Sequence, residues 1–155
     1  MRICRLSDRP DAVPLVARWH HAAFGALNPS RTLAQRVKWL EDSLQGSDLP
    51  LTLLACTADG VPAGCASLTA GTLTHAHLTP WLGLVYVRPE SRLAGIGSAL
   101  ALRAAAECSR SGHARLHLFT PRHEPLYRKL GWATFDRAEV NAVPVAVMEK
   151  CVRWT

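Results

Sequence analysis

The stretch WLGLVYVRPESRLAGIGSAL, from Trp81 to Leu100, decides the fold predicted for this chain. Leucine, valine and tyrosine residues up to Val87 are typical of a β-strand, and Pro89 cannot continue a ladder of backbone hydrogen bonds. Gly95 and Gly97 then open an alanine-rich segment that is typical of a helix. We therefore predict a strand, a tight loop and a helix, in this order.

The start of this predicted helix is suited to binding an anion. The first turn of a helix has backbone N–H groups without internal partners, and the helix dipole places partial positive charge there. Because Gly95 and Gly97 carry no Cβ, the backbone from Arg92 to Ser98 could approach a phosphate or pyrophosphate closely. An ordinary connection between strand and helix, with no ligand, is the alternative interpretation.

The spacing of the glycines separates three kinds of phosphate-binding loop. A P-loop needs a Gly-Lys pair, and the chain contains none. A dinucleotide-binding G-x-G-x-x-G loop is also disfavoured, because Leu100 stands where the third glycine is needed. The remaining pattern is R-x-x-G-x-G, from Arg92 to Gly97, after a strand that ends in V-x-V. This pattern resembles the acyl-CoA pyrophosphate loop of the GNAT superfamily of N-acyltransferases.

A second motif carries the same resemblance. A strand is predicted at Leu116–Thr120, a turn follows from Pro121 to Pro125, and LYRKLGW, Leu126–Trp132, is predicted as a short helix ended by Gly131. The two motifs occur in the order and at the spacing of the superfamily, and the resemblance covers essentially all 155 residues. It implies one domain, residues 1–155, with an α/β GNAT fold. In that fold a mixed sheet of about six or seven strands, splayed at the middle, is flanked by about four helices.

The resemblance also implies a co-substrate and the residues that hold it. Acetyl-CoA would bind along the end of the central strand and in the loop, and no metal is implied. Tyr127 would protonate or hydrogen-bond the departing thiolate; a half-buried aromatic with only a packing role is the alternative. The strand Leu116–Thr120 lacks the glutamate that is the general base in some relatives, so His117, His123 and Glu124 are candidates by location. The predicted cofactor-binding residues are Val85, Tyr86, Val87, Arg92, Leu93, Ala94, Gly95, Ile96, Gly97 and Ser98.

Two amphipathic helices are predicted before the first hairpin. The first runs from about Asp11 to Phe24, and the second follows Ser30 as N-cap and ends at Gly46, with an apolar face at Leu33, Val37, Leu40 and Leu44. In the superfamily this helix pair forms one wall of the acceptor site. The resemblance therefore implies a substrate-binding role for Trp19, His20, Phe24 and Trp81, although packing in the core would also explain the first three.

The other elements are predicted from local patterns. Pro50–Cys56 and Val61–Leu68 form a hairpin around Asp59-Gly60. A stripe of small and apolar residues is predicted to place the long helix against the sheet, and two strands, Ala133–Arg137 and Pro144–Val152, end the chain. His75 and His77, in the linker 71–80, are predicted to be exposed loop histidines rather than metal ligands. The helix stripe consists of Gly95, Ala99, Leu102 and Ala106.

Composition excludes several classes of protein. The formal net charge is +6, but the arginines are dispersed and no basic block interleaved with aromatics occurs, which argues against nucleic-acid binding. The hydrophobic fraction is 48%, yet no apolar run approaches the length of a membrane span. The five scattered cysteines fit neither a disulfide framework nor a metal site, and we expect them to be reduced core residues. A cytoplasmic location without membrane contact is expected.

These observations and the resemblance together predict an acetyl-CoA-dependent N-acetyltransferase. The acetyl group would pass from the CoA thioester to a primary amine by direct attack, without an acyl-enzyme. A small-molecule amine and a protein N-terminus are both compatible as acceptor, and a homodimer is compatible with the superfamily. The alternative is a non-catalytic module that senses acyl-CoA.

Overall fold

The computed structural model describes residues 1–46, 48–72 and 74–153. Within these ranges one seven-stranded mixed sheet has the order β1-β2-β3-β4-β5-β7-β6, and four α-helices flank it. The pairing of β4 with β5 is parallel, and the other pairings are antiparallel. The bounds are β1 (Arg2–Arg5), α1 (Val13–Phe24), α2 (Leu33–Ser43), β2 (Leu51–Cys56), β3 (Pro62–Thr69), β4 (Trp81–Val87), α3 (Ile96–Arg110), β5 (Arg115–Thr120), α4 (Glu124–Lys129), β6 (Ala133–Val140) and β7 (Val143–Cys151). The predicted fold class is confirmed.

The helices divide between the two faces of the sheet. Helices α3 and α4 cover one face, here called the α3 face, where Leu100 and Tyr127 pack with Leu116 and Met148. Helices α1 and α2 cover the opposite face, here called the α1 face, where Val16 and Leu40 pack with strands β2 and β3. Burial of these apolar side chains is the main force that holds both layers on the sheet. A third cluster surrounds Trp81 and Val147.

The buried side of α3 differs from the predicted stripe. Leu102 of that stripe is 53% exposed, whereas Ile96, Leu100, Ala104 and Cys108 are buried at a regular spacing of four. An alanine-rich helix offers several faces that are small enough to lie on a sheet, so sequence periodicity alone did not single out the correct one.

Helix α2 also begins and packs differently from the prediction. Its N-cap is Thr32 rather than Ser30, because Thr32 and Gln35 exchange two hydrogen bonds that satisfy both backbone N–H groups. The predicted apolar face is rotated as well. Leu33 is 39% exposed, and Arg36 is buried beside Leu40 in its place.

Two predictions about burial are wrong for some of their residues. His75 is only partly exposed, because its ring packs near Trp81 and its Nε2 lies 2.8 Å from Oδ2 of Asp136 on β6. Leu73 of the same linker lies outside the described residues. All five cysteines are free, but Cys151 is exposed and Cys4 is half-buried, so only the other three belong to the core. Among the described helices, none combines the length and the apolarity that crossing a bilayer requires.

Candidate active site

A cleft opens between the two parallel strands at the centre of the sheet. The ladder of β4 with β5 consists of one residue pair, Trp81 with His117. Beyond it β5 continues to pair with β7 along its length, and β4 pairs with β3. The edge of β4 that faces β5 has no strand partner from Gly83 to Val87, so an extended ligand could pair with its remaining unbonded backbone groups.

A β-bulge in β4 lies beside this cleft. Ser67 pairs with Gly83 and Cys65 pairs with Tyr86, so two residues of β4 stand opposite one residue of β3. Leu84, in the bulge, has φ 54°, a left-handed conformation that an L-residue adopts only when its surroundings impose it. Bulges redirect backbone N–H and C=O groups away from the ladder. Here the bulge lies between Gly83 and Tyr86, close to the one residue pair that joins β4 to β5.

The loop after β4 leads directly into the amino end of α3. Gly95 caps the helix at φ 78° and has no side chain to bond the first turn. The first helical bond runs from Ala99 N–H to the Gly95 carbonyl, which leaves the N–H groups of residues 96–98 pointing outward. Arg92 holds the loop on the strand end, because its Nε donates to the Val87 carbonyl at 2.9 Å.

The two glycines of the loop serve different needs. Gly95 needs its positive φ, and a side chain there would meet open space. Gly97 has no such constraint, since an added Cβ would touch only Val87 at an ordinary 3.8 Å. Nothing inside the chain therefore requires glycine at position 97. A ligand that approaches the backbone closely would require it.

Tyr127 is carried by α4 on the α3 face. Its ring is 7% exposed and packs edge to face against Trp132, with centroids 5.9 Å apart. Burial raises the pKa of Tyr127 to about 12, because a phenolate would lose its hydration there. The hydroxyl therefore stays protonated at neutral pH and is available to donate a proton or a hydrogen bond.

The three candidates for a general base differ in their surroundings. Glu124 accepts hydrogen bonds from Thr134, Arg137 and Arg128, and these bonds, the one from Thr134 foremost, lower its pKa. His117 is buried with its Nδ1 3.1 Å from the Pro80 carbonyl, whereas His123 is exposed before α4. Because its carboxylate oxygens already accept these bonds and its pKa is lowered, Glu124 is a poor candidate for the general base. A cavity of about 290 Å³ lies next to it, lined by Thr120, Pro121, Arg122, Glu124, Pro125, Arg137, Ala138, Pro144, Val145 and Ala146.

Three of the four predicted acceptor residues lie together on α1, behind the bulge. Trp19 packs on Tyr86 of β4 with ring centroids 5.2 Å apart, and the Phe24 ring lies 6.2 Å from that of His20. His20 is 1% exposed, and its Nε2 lies 3.6 Å from Sγ of Cys65. Burial lowers the pKa of His20 to about 4, with a further contribution from the charge of Arg36. His20 is therefore neutral at pH 7.

The fourth predicted acceptor residue lies elsewhere. Trp81 is 1% exposed at the closed end of the cleft, and its indole N–H donates to the Leu78 carbonyl at 2.6 Å. Its ring centroid is 5.4 Å from that of His117. Trp81 therefore lies at one end of β4, and Tyr86, the residue that Trp19 contacts, lies near the other end.

Two residues of this region are not predicted from the sequence. Cys65 connects α1 to the bulge, because its thiol donates to the Leu84 carbonyl at 3.6 Å and contacts His20. Arg36 is 5% exposed, and its Nη2 donates to the Asn28 carbonyl at 3.2 Å. No sequence signal marks either residue, since an arginine on a surface helix is ordinarily assigned to the solvent side. Among the described residues, no group of three or more His, Cys, Asp or Glu side chains could hold a metal ion.

A family model described as an acetyltransferase (GNAT) domain matches residues 51–134, more than half of the chain. The chain belongs to the GNAT acetyltransferase family. The matched range contains the hairpin of β2 and β3, the bulged strand β4, the glycine loop, α3, β5 and α4. The cleft and the helix amino end described above are therefore features of a GNAT domain. No curated protein matches the chain in sequence.

Solved structures share this GNAT fold over nearly the whole chain. An aminoglycoside 6'-N-acetyltransferase complexed with coenzyme A superimposes with a TM-score of 0.75 at 14% identity, covering 100% of this chain and 99% of its own. A ribosomal-protein-alanine N-acetyltransferase from Brucella melitensis has a TM-score of 0.74 at 18% identity, with 97% and 99% covered. A GNAT-family acetyltransferase from Streptococcus pneumoniae has a TM-score of 0.69 at 23% identity, with 97% and 98% covered. At these identities the likeness establishes the fold.

Proposed function

We propose that this GNAT protein transfers an acetyl group from the thioester of acetyl-CoA to a primary amine by direct attack. The observation that supports the proposal is that three features lie next to one another in the fold. An open strand edge on β4 runs into a glycine-capped helix amino end, and Tyr127 on α4 packs on the same face of the sheet as α3. A ligand with a diphosphate, an extended amide-containing arm and a thioester matches these features in order.

The chain's own groups bind and orient acetyl-CoA in this proposal. The outward N–H groups of residues 96–98, with Arg92, Leu93, Ala94 and the two glycines around them, would bind the diphosphate. The free edge of Val85, Tyr86 and Val87 would bond the amides of the extended arm as an added strand does. The thioester would then lie in the gap beside the bulge.

Backbone dipoles of the bulge would stabilise the transition state. An N–H group redirected from the ladder and aimed at the thioester oxygen is already oriented before the reaction, so it needs no rearrangement as negative charge develops. One such donor in a dry site is typically worth about 10² to 10³ in kcat. The amine attacks the carbonyl carbon, the C–S bond breaks, and the sulfur leaves with its electron pair.

Tyr127 would assist the departing sulfur. A pKa of about 12 keeps its proton in place and exceeds the thiol value of about 8.5, so complete proton transfer is uphill. A hydrogen bond to the thiolate is the contribution that fits this order of pKa values. The attacking nitrogen, which becomes cationic on attack, loses a proton to solvent or to a base such as His117 or His123, and the product is the neutral amide.

We propose that the acceptor is the amine of a small molecule or of a protein N-terminus, and not of a nucleic acid. Structural relatives include enzymes named for an aminoglycoside and for the alanine of a ribosomal protein, so the fold supports both small and protein amines. Trp19, His20 and Phe24 would line its path on the α1 face, with Trp81 at the closed end.

Release of free thiol from acetyl-CoA with a panel of primary amines tests the proposal. We expect amine-dependent thiol release in the wild type and a loss of about 10²- to 10⁴-fold in kcat for Tyr127→Phe, at nearly unchanged acetyl-CoA affinity. Ring packing on Trp132 survives in this variant. Acetyl-CoA binding without thiol release for any amine would favour the sensor alternative instead.

Gly97→Ala tests the diphosphate site separately. The added methyl group fits the free protein and favours the helix, so we expect a free energy of unfolding equal to or about 0.5 kcal/mol above that of wild type. It would meet the bound phosphate, so calorimetry should show at least about tenfold weaker acetyl-CoA binding. Gly112→Ala, at another glycine outside the loop, serves as a control that changes stability but not affinity. Unchanged affinity in Gly97→Ala would exclude close approach of the phosphate at this position.

A further inference from the structure

Arg36 is a buried cation without a counter-charge. Its side chain lies between α2 and the connection from α1, and the residue is 5% exposed. All twelve Asp and Glu residues lie in the described ranges, and none comes within 4.0 Å of Arg36. Its Nε is fully buried with no hydrogen-bond partner, and Nη2 has only the Asn28 carbonyl. Burying an unpaired charge is costly, so this arrangement lacks an anion.

The titratable groups around Arg36 do not supply a negative charge either. Burial lowers the pKa of Arg36, and the positive charge of Arg31 lowers it further. His20, the titratable group that faces Arg36 from α1, is neutral at pH 7 because its pKa is about 4. No side chain of α1, α2 or their connection therefore offers a negative charge to the guanidinium.

The position of Arg36 relates it to the proposed reaction. In the proposed function the diphosphate and the extended arm bind on the α3 face, where Tyr127 packs, so the co-substrate would fill the cleft from that side. The amine must then reach the thioester from the α1 face. His20 lies on this face behind the bulge, in contact with Cys65, and it is close enough to Arg36 for the arginine's charge to lower its pKa.

The connection between α1 and α2 is held in place at two points around Arg36. The Asn28 carbonyl accepts from Arg36, and the Leu27 carbonyl accepts from Asn141 in the turn between β6 and β7. The guanidinium therefore sits where the α1–α2 connection meets the far end of the sheet. A planar guanidinium in a fixed position matches a carboxylate through two parallel N–H bonds.

We propose that Arg36 binds the carboxylate of the acceptor, so that the substrate is a small amine that also carries a carboxylate, such as a free amino acid. This inference rests on the proposed function and names its substrate class. Binding supplies the counter-charge that the fold omits, and it holds the amine on the α1 side of the thioester.

Matched pairs of amines test the assignment without turnover. L-methionine and L-methioninamide, and L-lysine and L-lysinamide, are pairs in which a neutral amide of similar size replaces the carboxylate. Calorimetry on the protein saturated with CoA should show each amino acid binding at least about 30-fold more tightly than its amide. Arg36→Met should abolish this preference. Lys38→Met, which removes an exposed cation from the same helix, should keep it.

The outcomes separate this inference from the proposed function. Preferential binding of the amino acids without acetyl transfer supports the Arg36 site and contradicts the transferase. Acetyl transfer to methioninamide as efficient as to methionine, or calorimetry with no carboxylate preference, overturns the Arg36 site alone. Tighter binding of phosphoethanolamine than of any carboxylate overturns the choice of carboxylate as the anion. A carboxylate preference that persists in Arg36→Met overturns the assignment of the carboxylate site to Arg36.

Discussion

Among the described residues, the two buried side chains that carry a charge at pH 7, Glu107 and Arg36, have opposite surroundings. Glu107 of α3 is 4% exposed and has three arginines within 4 Å, and Arg5 and Arg103 among them donate at 3.0 and 3.1 Å. Arg36 of α2 is buried to the same degree and has no carboxylate within that distance. Ion pairs of Glu107 thereby connect β1 to α3, whereas Arg36 forms no ion pair that would connect two elements.

The difference distinguishes a structural charge from a functional one. A buried ion that the fold satisfies contributes to holding the elements together, and removing it destabilises the protein. A buried ion that the fold leaves unsatisfied lowers stability, and such sites are typical of places where a ligand completes the arrangement. Predictions for the two regions should therefore differ in sign.

The largest expected effect is a loss of stability in acid, caused by His20, the buried histidine near Arg36. The folded-state pKa of His20, about 4, lies below its ordinary 6.5, so folding is favoured by the neutral ring. The contribution of His20 to the free energy of unfolding is fully present above about pH 6.5 and is lost as the pH falls toward 4. The reason is that His20 binds a proton in the unfolded state at pH values where it stays neutral in the folded state. We expect a loss of about 3 kcal/mol between pH 7 and pH 4.

Urea unfolding of His20→Gln and His21→Gln measures this loss. His21 is the neighbouring residue on α1 and is exposed, so its replacement should leave the pH dependence as in wild type. The His20 variant should lose most of it. An equal pH slope in wild type and His20→Gln would mean that folding does not lower the pKa of His20.

Glu107→Gln should produce the next largest effect. The variant keeps the shape of the side chain but loses charged hydrogen bonds to Arg5 and Arg103, which typically cost about 2 kcal/mol. Burial raises the pKa of Glu107, but the two arginines outweigh it and the net pKa is lowered. Its contribution is therefore present above about pH 4.5 and disappears as the pH falls further. Unfolding at pH 7 and pH 3 checks both statements, with Glu139→Gln on exposed β6 as the control.

Arg36→Met should have the smallest effect and the opposite sign. Replacing an unpaired buried cation with an apolar side chain removes its desolvation cost, while the hydrogen bond to Asn28 is lost. We expect the free energy of unfolding without ligand to be unchanged or higher by about 1 kcal/mol. Lys38→Met provides the comparison for a surface position. A decrease of more than about 1 kcal/mol would place Arg36 in the same structural class as Glu107.

The contrast also explains which parts of the site could be predicted. The glycine loop and the helix with Tyr127 follow from short stretches of sequence, because strand ends, caps and turns depend on neighbouring residues. Element order and fold class follow from the same local signals. The burial of Arg36 does not, since a charged residue between Gln35 and Val37 is typical of a solvent-facing position.

The sequence by itself determined the family, the order of the elements and the loop that would bind a diphosphate. Each of these depends on residues that are close together in the chain. Only the tertiary structure decided the bulge at Leu84, the buried face of α3 and the exposure of Leu33. These depend on which remote strands pack beneath a helix, and several faces of an alanine-rich or amphipathic helix satisfy the local rules equally well. The unpaired charge of Arg36 arises in the same way, from packing that brings α2 against α1 and leaves the guanidinium without an acid.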